Sequence, residues 1–415
     1  MKHIFLTFAH ELRSIFTNVG TLVVLGLAAL IYGFFYPLPY QPQVAEDLPV
    51  VVVDGDRSSM SRTLIQFADA TPQVAIQNIV YSEAEAELEL ARGNALGVLV
   101  IPPNFERDIL RSERVIVGIY GDASYFLAYS QIASGLGVAT GTLSAGIEIR
   151  RLQSAGYTEA SAFDRRDPLP VRLAPLYNET TGYGHYVVPA VLILILQQTL
   201  LVGIGMLIGT RREEEVRGFL SRTDEASLWR RARHNLRVLV GRALAYLLLY
   251  SVHVTVYLFV LYRVFDFPQR GALGQIYLFL LPFVLATTFF GTTIATLFRE
   301  RETAIQVLLF SSMPAIFISG FAWPPEAIPQ WIQNLAMALP STSAIDGYVR
   351  LNHLGASFYQ IKESWFALWI LAAIYLLCAL LAAAFGPKGR ARTERDLPPF
   401  DATNTTTAAS SALDA

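Results

Sequence analysis

Six stretches of this chain are each apolar and long enough to cross a lipid bilayer, and they leave few folds open to it. A helix rises ~1.5 Å per residue, so a hydrocarbon core of roughly 30 Å takes about 20 apolar residues. The apolar cores run over residues 19–36, 186–208, 243–262, 276–297, 304–321 and 365–385. With their flanks they predict transmembrane helices at 19–39, 186–209, 243–262, 272–298, 303–322 and 364–386. Pro314 interrupts the fifth, for which a re-entrant path is the alternative. The first is read as a retained anchor: no small-residue cleavage site follows Phe34-Phe35-Tyr36-Pro37-Leu38-Pro39, and the run is long for a signal peptide. A composition of 53% hydrophobic and 16% charged residues, with mean hydropathy +0.40, agrees. The expected fold class is an α-helical integral membrane protein with six transmembrane helices, plus an inserted α/β extracytoplasmic domain.

Orientation follows from the arginines in short connections. Residues 210–242, read as a basic cytoplasmic loop, carry nine: Arg211, Arg212, Arg217, Arg222, Arg230, Arg231, Arg233, Arg237 and Arg242. Arg299 and Arg301 precede the fifth helix, and Lys388, Arg390, Arg392 and Arg395 lie in the tail 387–415. Both termini are therefore expected in the cytoplasm, with residues 40–185 outside. Residues 40–185 contain no lysine, and their arginines do not oppose that location, because long domains translocate largely regardless of charge. A net charge of −2 points to no nucleic-acid partner.

Within residues 40–185 strand-like and helix-like patterns alternate. Strands are expected at 48–53, 74–81, 96–101 and 115–120, and helices at 58–68, 82–92 and 104–111, the order of a layered α/β fold. One long helix follows at 123–155, whose small residues suit either a partner helix or packing on its own domain. Residues 164–181, with Pro168, Pro170 and Pro175, read as an extended connector. The single cysteine, Cys378, falls in the last apolar run, so this domain holds no intrachain disulfide and no cysteine-ligated metal. Residues 323–363 form an external re-entry segment, residues 1–18 a cytoplasmic amphipathic helix, and the Thr, Ala and Ser-rich end of the tail is expected to be disordered.

None of the six cores contains Asp, Glu, Lys or Arg. Ion-coupled transporters place ionisable groups there to carry protons or bind cations, so the energy source is expected outside the spans and a secondary exporter is disfavoured. Gln197, Gln198, His253, Thr288 and Thr292 are the candidate pathway residues. Their alternatives are interhelical hydrogen bonds for the hydroxyls and amides and a packed, hydrogen-bonded ring for His253. A phosphate-cradling P-loop needs a Gly-rich turn followed by Lys and Ser or Thr; the chain has no Gly-Lys dipeptide and only three lysines. No catalytic constellation or metal-ligand spacing stands out, and the chain is not expected to be an enzyme by itself.

Local motifs resemble those of a known family. Tyr177-Asn178 followed by Tyr183, Tyr186 and Pro189 enters the second helix, and Ser319-Gly320-Phe321-Ala322-Trp323-Pro324-Pro325-Glu326-Ala327-Ile328-Pro329, with Leu339-Pro340-Ser341-Thr342 after it, lies at the outer end of the fifth. These motifs and the layout, over nearly the whole chain, resemble the ABC-2 type transporter permeases that carry a large periplasmic domain between their first two helices. The family typically has acidic residues and then a Gly-Thr pair after the second helix, whereas Arg211-Arg212-Glu213-Glu214-Glu215-Val216-Arg217-Gly218-Phe219 lacks the threonine.

The resemblance implies the permease subunit of an ATP-binding cassette exporter in a bacterial cytoplasmic (inner) membrane. Two permease chains, identical or related, would pair above two ABC ATPase subunits. No cofactor would be bound by this chain; ATP and Mg would be bound by the partner ATPase. Docking falls to Arg211, Arg212, Glu213, Glu214, Glu215 and Arg217, whose alternative is a solvated positive loop. Beside them lies the N-terminal helix, with an apolar face of Ile4, Phe5, Phe8, Leu12, Ile15 and Phe16 suited to the interface. Phe317, Ser319, Gly320, Phe321, Trp323 and Pro324 would form an external gate, or else an aromatic belt at headgroup level. The substrate would be hydrophobic or amphiphilic, and the external domain would meet a periplasmic adaptor and an outer-membrane channel. A membrane-anchored receptor or scaffold with an external sensing domain is the competing class.

Overall fold

The computed structural model describes residues 2–216, 228–296, 301–310 and 312–385, without the side chains of 212–216, 228–232, 301, 304, 312, 313, 384 and 385. The charged tail and Arg299 lie outside that set. The chain divides into two compact units, Tyr40–Tyr183 and the remainder.

The Tyr40–Tyr183 unit is built on a four-stranded sheet, β1 (Leu48–Asp54), β2 (Val74–Val80), β3 (Gly97–Ile101) and β4 (Gly118–Gly121), in the order β2-β1-β3-β4. β1 is parallel to β2 and β3, and β4 closes the edge antiparallel to β3. Four consecutive valines of β1 point alternately to two cores, as a central parallel strand covered on both faces requires. Val50 and Val52 pack with Leu64, Phe105, Ile132 and Leu136, while Val51 and Val53 pack with Val80, Ala86 and Val98. The helices Ser59–Asp69 and Phe126–Ser154 supply the first face and Glu83–Ala91 the second. A helix over Glu159–Arg166, capped by Thr158, occupies the start of what was expected to be a connector, which is extended only after it. Thr158 three residues before Ser161 is a capping signal that the proline count had masked.

In the other unit the helix Lys2–Thr17 is followed after Asn18 by Val19–Thr21, a π-helical segment Leu22–Ala28 and Ala29–Phe35. Then come Tyr183–Val216; Leu228–Val256 continued by a π segment Tyr257–Leu261 and by Tyr262–Val264; Leu273–Ala295; Arg301–Phe310; Ser312–Ile318; Gln330–Ala336; Pro340–Asn352; and Lys362–Phe385.

Six described helices are long and apolar enough to span a membrane, but they are not the six expected. Val19–Tyr40, Tyr183–Arg211, Arg233–Val264, Leu273–Ala295 and Lys362–Ala383 match the expected first, second, third, fourth and sixth. The sixth member is Phe126–Ser154, whose Ile132, Leu136 and Ala139 are buried in the sheet core, so its apolarity serves a folded unit. Of the expected fifth helix, 303–322, the described residues are helical over Arg301–Phe310 and Ser312–Ile318, and Ser311 lies outside the described set. The expected basic loop 210–242 is largely helix, because Tyr183–Val216 runs past its start and Leu228–Val256 begins before its end. Arg, Glu, Leu and Ala all favour helix, so charge alone did not mark a loop.

Close approach at glycines seats the N-terminal part of the chain. A Cβ on Gly241 would lie 2.8 Å from the Ile4 carbonyl oxygen and from Thr7 Cβ; one on Gly33 would meet the Tyr257 ring, and one on Gly203 the Leu25 side chain. The helix Leu273–Ala295 packs along Lys362–Phe385 through Ala286, Phe289, Ala372 and Ala379. Replacing Gly241 by Ala should therefore destabilise the protein by about 1–3 kcal/mol through overpacking against backbone. Gly274→Ala, in open space on another helix, should gain up to about 1 kcal/mol. Thermal unfolding of the two variants in lipid nanodiscs checks the opposite signs.

Candidate functional site

The helix Tyr183–Val216 is the hub of its unit. Of its apolar stretch 83% is buried, against 22% for Val19–Tyr40 and 17% for Lys362–Ala383. Consecutive residues of a helix point about 100° apart, so Gln197, Gln198 and Thr199 reach three different neighbours. Gln197 donates to Ser341 Oγ at 3.0 Å and accepts from the Ser341 backbone N–H at 2.7 Å, which ties this helix to Pro340–Asn352. Gln198 donates to the Leu308 carbonyl on Arg301–Phe310. Thr199 shares a 2.9 Å hydrogen bond with the Tyr250 hydroxyl of Leu228–Val256. All three side chains form hydrogen bonds between helices.

His253 is buried, its Nε2 lies 3.1 Å from the Gly26 carbonyl, and its ring meets Tyr250 edge-on. A carbonyl can only accept, so Nε2 carries the proton. Gly26 belongs to the π-helical segment of its helix, and the Tyr257 hydroxyl, at the start of the other π segment, donates to the Ala29 carbonyl. The crossing of these two helices thus coincides with irregularity in both, a feature frequent at functional sites. Thr292 bonds its own helix at the Thr288 carbonyl, 2.8 Å away, and the buried Thr288 hydroxyl has no hydrogen-bond partner among the described residues.

The expected gate residues divide. Phe317 and Trp323 are exposed, whereas Ser319 is buried and donates to the Ile316 carbonyl at 2.8 Å. Gly320 has φ +82°, a left-handed turn that suits glycine, and leads into Phe321, whose carbonyl accepts from the Tyr186 hydroxyl. Pro324 precedes a short 3-10 turn, Pro325–Ala327.

Two clusters had not been read from the sequence. One joins Tyr262 to the helix Pro340–Asn352: Asn352 donates to the Tyr348 hydroxyl at 3.3 Å, Tyr348 donates to Tyr262 at 2.9 Å, and His353 Nε2 lies 3.5 Å from that oxygen. Burial, reinforced by the nearby His185 and Arg270 charges, pushes the His353 pKa down to about 4, so the ring is neutral and accepts. The other centres on Glu11 of the helix Lys2–Thr17, which is fully buried. Its Oε2 lies 2.5 Å from Arg211 and 3.4 Å from Arg242, and its Oε1 accepts from the Tyr246 hydroxyl at 2.6 Å.

Arg211, expected at the docking surface, therefore turns toward a carboxylate of its own chain. The side chains of Arg212, Glu213, Glu214 and Glu215 and the whole of Arg217 lie outside the described residues. On the N-terminal helix Phe5 and Phe16 of the expected interfacial face are exposed, while Ile15 and Glu11 are buried. Ile4, Thr7, Glu11 and Ile15 share one stripe at helical spacing, and an acid in such a stripe was the available signal.

Burial opposes ionisation of Glu11, but the Arg211 and Arg242 charges, with the Tyr246 hydrogen bond, outweigh it and hold the pKa below the ordinary glutamate value. A depressed folded pKa contributes stability above the unfolded pKa and loses it as pH falls through the folded value. Glu11→Gln should cost about 3–5 kcal/mol at neutral pH by leaving buried arginine charge uncompensated. The gap in unfolding midpoint between wild type and Glu11→Gln should shrink as pH is lowered below the normal glutamate range, which a pH series of thermal melts checks.

Comparison with known proteins places this architecture. Residues 19–381 match the family model described as "ABC-2 family transporter protein". The chain is 22% identical over 88% of its length to the "Probable multidrug ABC transporter permease YbhR" of Escherichia coli strain K12, covering 92% of that protein. It is also 22% identical over 92% of its length to the "Inner membrane transport permease YhhJ" of the same organism, covering 96%. A third similarity, 26% identity, spans 34% of this chain and 20% of the "ABC transporter G family member 20" of Dictyostelium discoideum. Because the family match takes in the helical unit from Val19 onward and the inserted sheet unit alike, the chain belongs to the ABC-2 family of transporter proteins.

Proposed function

We propose that this chain is the permease subunit of an ATP-driven exporter, moving a hydrophobic or amphiphilic substrate outward with energy from a separate ABC ATPase. The observation that carries the reading is the family match over residues 19–381 in a chain without a Gly-Lys dipeptide: a transporter of the ATP-binding cassette type that lacks a P-loop of its own. The names of the two Escherichia coli relatives, a multidrug ABC permease and an inner-membrane transport permease, support transport across the inner membrane. The nine arginines of residues 210–242 support a cytoplasmic location for that region and for both termini, with residues 40–185 in the periplasm. On this reading the charged run beyond Arg211, residues 212–217, faces the ATPase, which binds ATP and Mg. A second permease chain, identical or related, pairs with this one. The gate lies at Phe317–Trp323, whose exposed aromatic rings suit a lipid or partner boundary. The α/β unit is the part available to a periplasmic adaptor and, through it, an outer-membrane channel.

Affinity purification of the tagged chain in mild detergent, with mass spectrometry of what it retains, tests this reading. The expected result is an ABC ATPase in near-stoichiometric amount with vanadate-sensitive turnover. A homomer without an ATPase would replace the exporter with a membrane receptor or scaffold.

A further inference from the structure

The pathway residues above do not involve Glu11, yet it makes the most costly contact in the helical unit. A carboxylate with no solvent exposure on the helix Lys2–Thr17 meets Arg211 near the end of Tyr183–Val216, and Arg242 and Tyr246 on Leu228–Val256. A buried ion pair is a poor source of stability compared with apolar packing of the same volume, but it is directional and demands one geometry. A second contact stands beside it: Gly241 lets the backbone of Ile4 and the side chain of Thr7 approach to a distance no Cβ would allow. Thr7 and Glu11 are about one turn apart on one helix, as are Arg242, next to Gly241, and Tyr246 on the other. The pair of helices is thus held at two points, which fixes rotation as well as separation.

The same joint is continuous with both ends of the molecule that the proposed function uses. Beyond Arg211 the helix carries Arg212, Glu213, Glu214 and Glu215, the run assigned above to the ATPase. Beyond Thr17 the chain turns at Asn18, whose Oδ1 accepts from the Thr21 N–H at 3.1 Å, and enters the π segment that meets His253.

We infer that Glu11 is a positioning residue for transport: it locks the N-terminal helix to the ends of the second and third membrane helices, so that the three move as one body when the ATPase turns over. The lock is a property of this chain alone; its role in turnover rests on the ATPase partnership proposed above.

Distance measurement by electron spin resonance tests both halves. Nitroxides are placed at His10→Cys and His234→Cys, two exposed positions on the N-terminal helix and on Leu228–Val256, in a Cys378→Ala background. The purified protein, with whatever ATPase it retains, is reconstituted in phosphatidylethanolamine and phosphatidylglycerol nanodiscs. The expected result is one narrow distance, the same without nucleotide and after trapping with MgATP and vanadate. In Glu11→Gln the distribution should broaden, and vanadate-sensitive turnover should fall about tenfold, on the scale of an energetic coupling, at unchanged ATPase retention. A change of about 5 Å on trapping, one helical turn, overturns the one-body movement. A narrow distribution with unchanged turnover in Glu11→Gln overturns the role of the residue. Should Glu11→Gln fail to accumulate, Glu11→Gln with Arg211→Gln, which removes both charges of the closest pair, carries the same expectations. A wild-type preparation without ATPase sinks the partnership and the coupling with it, while the nucleotide-free distances still decide the lock.

Discussion

Polar groups withdrawn from water have to find partners inside the protein, and in an apolar helical unit that requirement organises the packing. It bears hardest on the helix Tyr183–Val216, the most buried of the long apolar helices. Its Gln197 and Thr199 are buried and Gln198 is half-buried, and each commits to a neighbour: Ser341, the Leu308 carbonyl and Tyr250. One short polar stretch thereby orients three surrounding elements. Substituting leucines there would keep the apolar pattern and lose the register between helices, since dispersion is not directional.

The same requirement explains the irregular helices. A π turn shifts the i→i+4 ladder and changes which carbonyls point outward. At Leu22–Ala28 the Gly26 carbonyl faces His253, and just beyond it the Ala29 carbonyl faces Tyr257. Gly33 then lets the Tyr257 ring approach closer than any side chain would permit. Local deviation from ideal helix, small residues and buried hydrogen-bonding rings occur together because each makes room for the others. Farther along, a chain of hydrogen bonds links four buried polar side chains, from Asn352 through Tyr348 and Tyr262 to His353. The helix Pro340–Asn352 can therefore sit in the core although it lies in a region read from sequence as an external re-entry segment.

The sheet unit obeys the opposite logic, in which apolar alternation comes first. β1 reads as an unbroken run of valine because both of its faces are covered, and the cover includes a helix, Phe126–Ser154, apolar enough to pass for a membrane span. Length and hydropathy cannot separate a helix that faces lipid from one that faces a sheet. In Phe126–Ser154 the buried Ile132, Leu136 and Ala139 lie on one stripe, and only contact with β1 and β3 shows what they meet.

What the sequence determined by itself was whatever depends on near neighbours along the chain. The five long apolar helices and the strand and helix alternation follow from residues within a few positions of each other, and so do the motifs at Tyr177–Pro189 and Ser319–Pro329. The tertiary structure alone decided the rest. The cluster around Glu11 could not be singled out in the sequence because the partners of that residue, Arg211, Arg242 and Tyr246, stand two hundred residues or more away. That cluster occupies one side of the N-terminal helix, and Phe5 and Phe16 are exposed. The region read as a basic loop is helix over 210–216 and 228–242. Periodicity reports that a segment is apolar or helix-forming, while the end of an element is set by what it packs against.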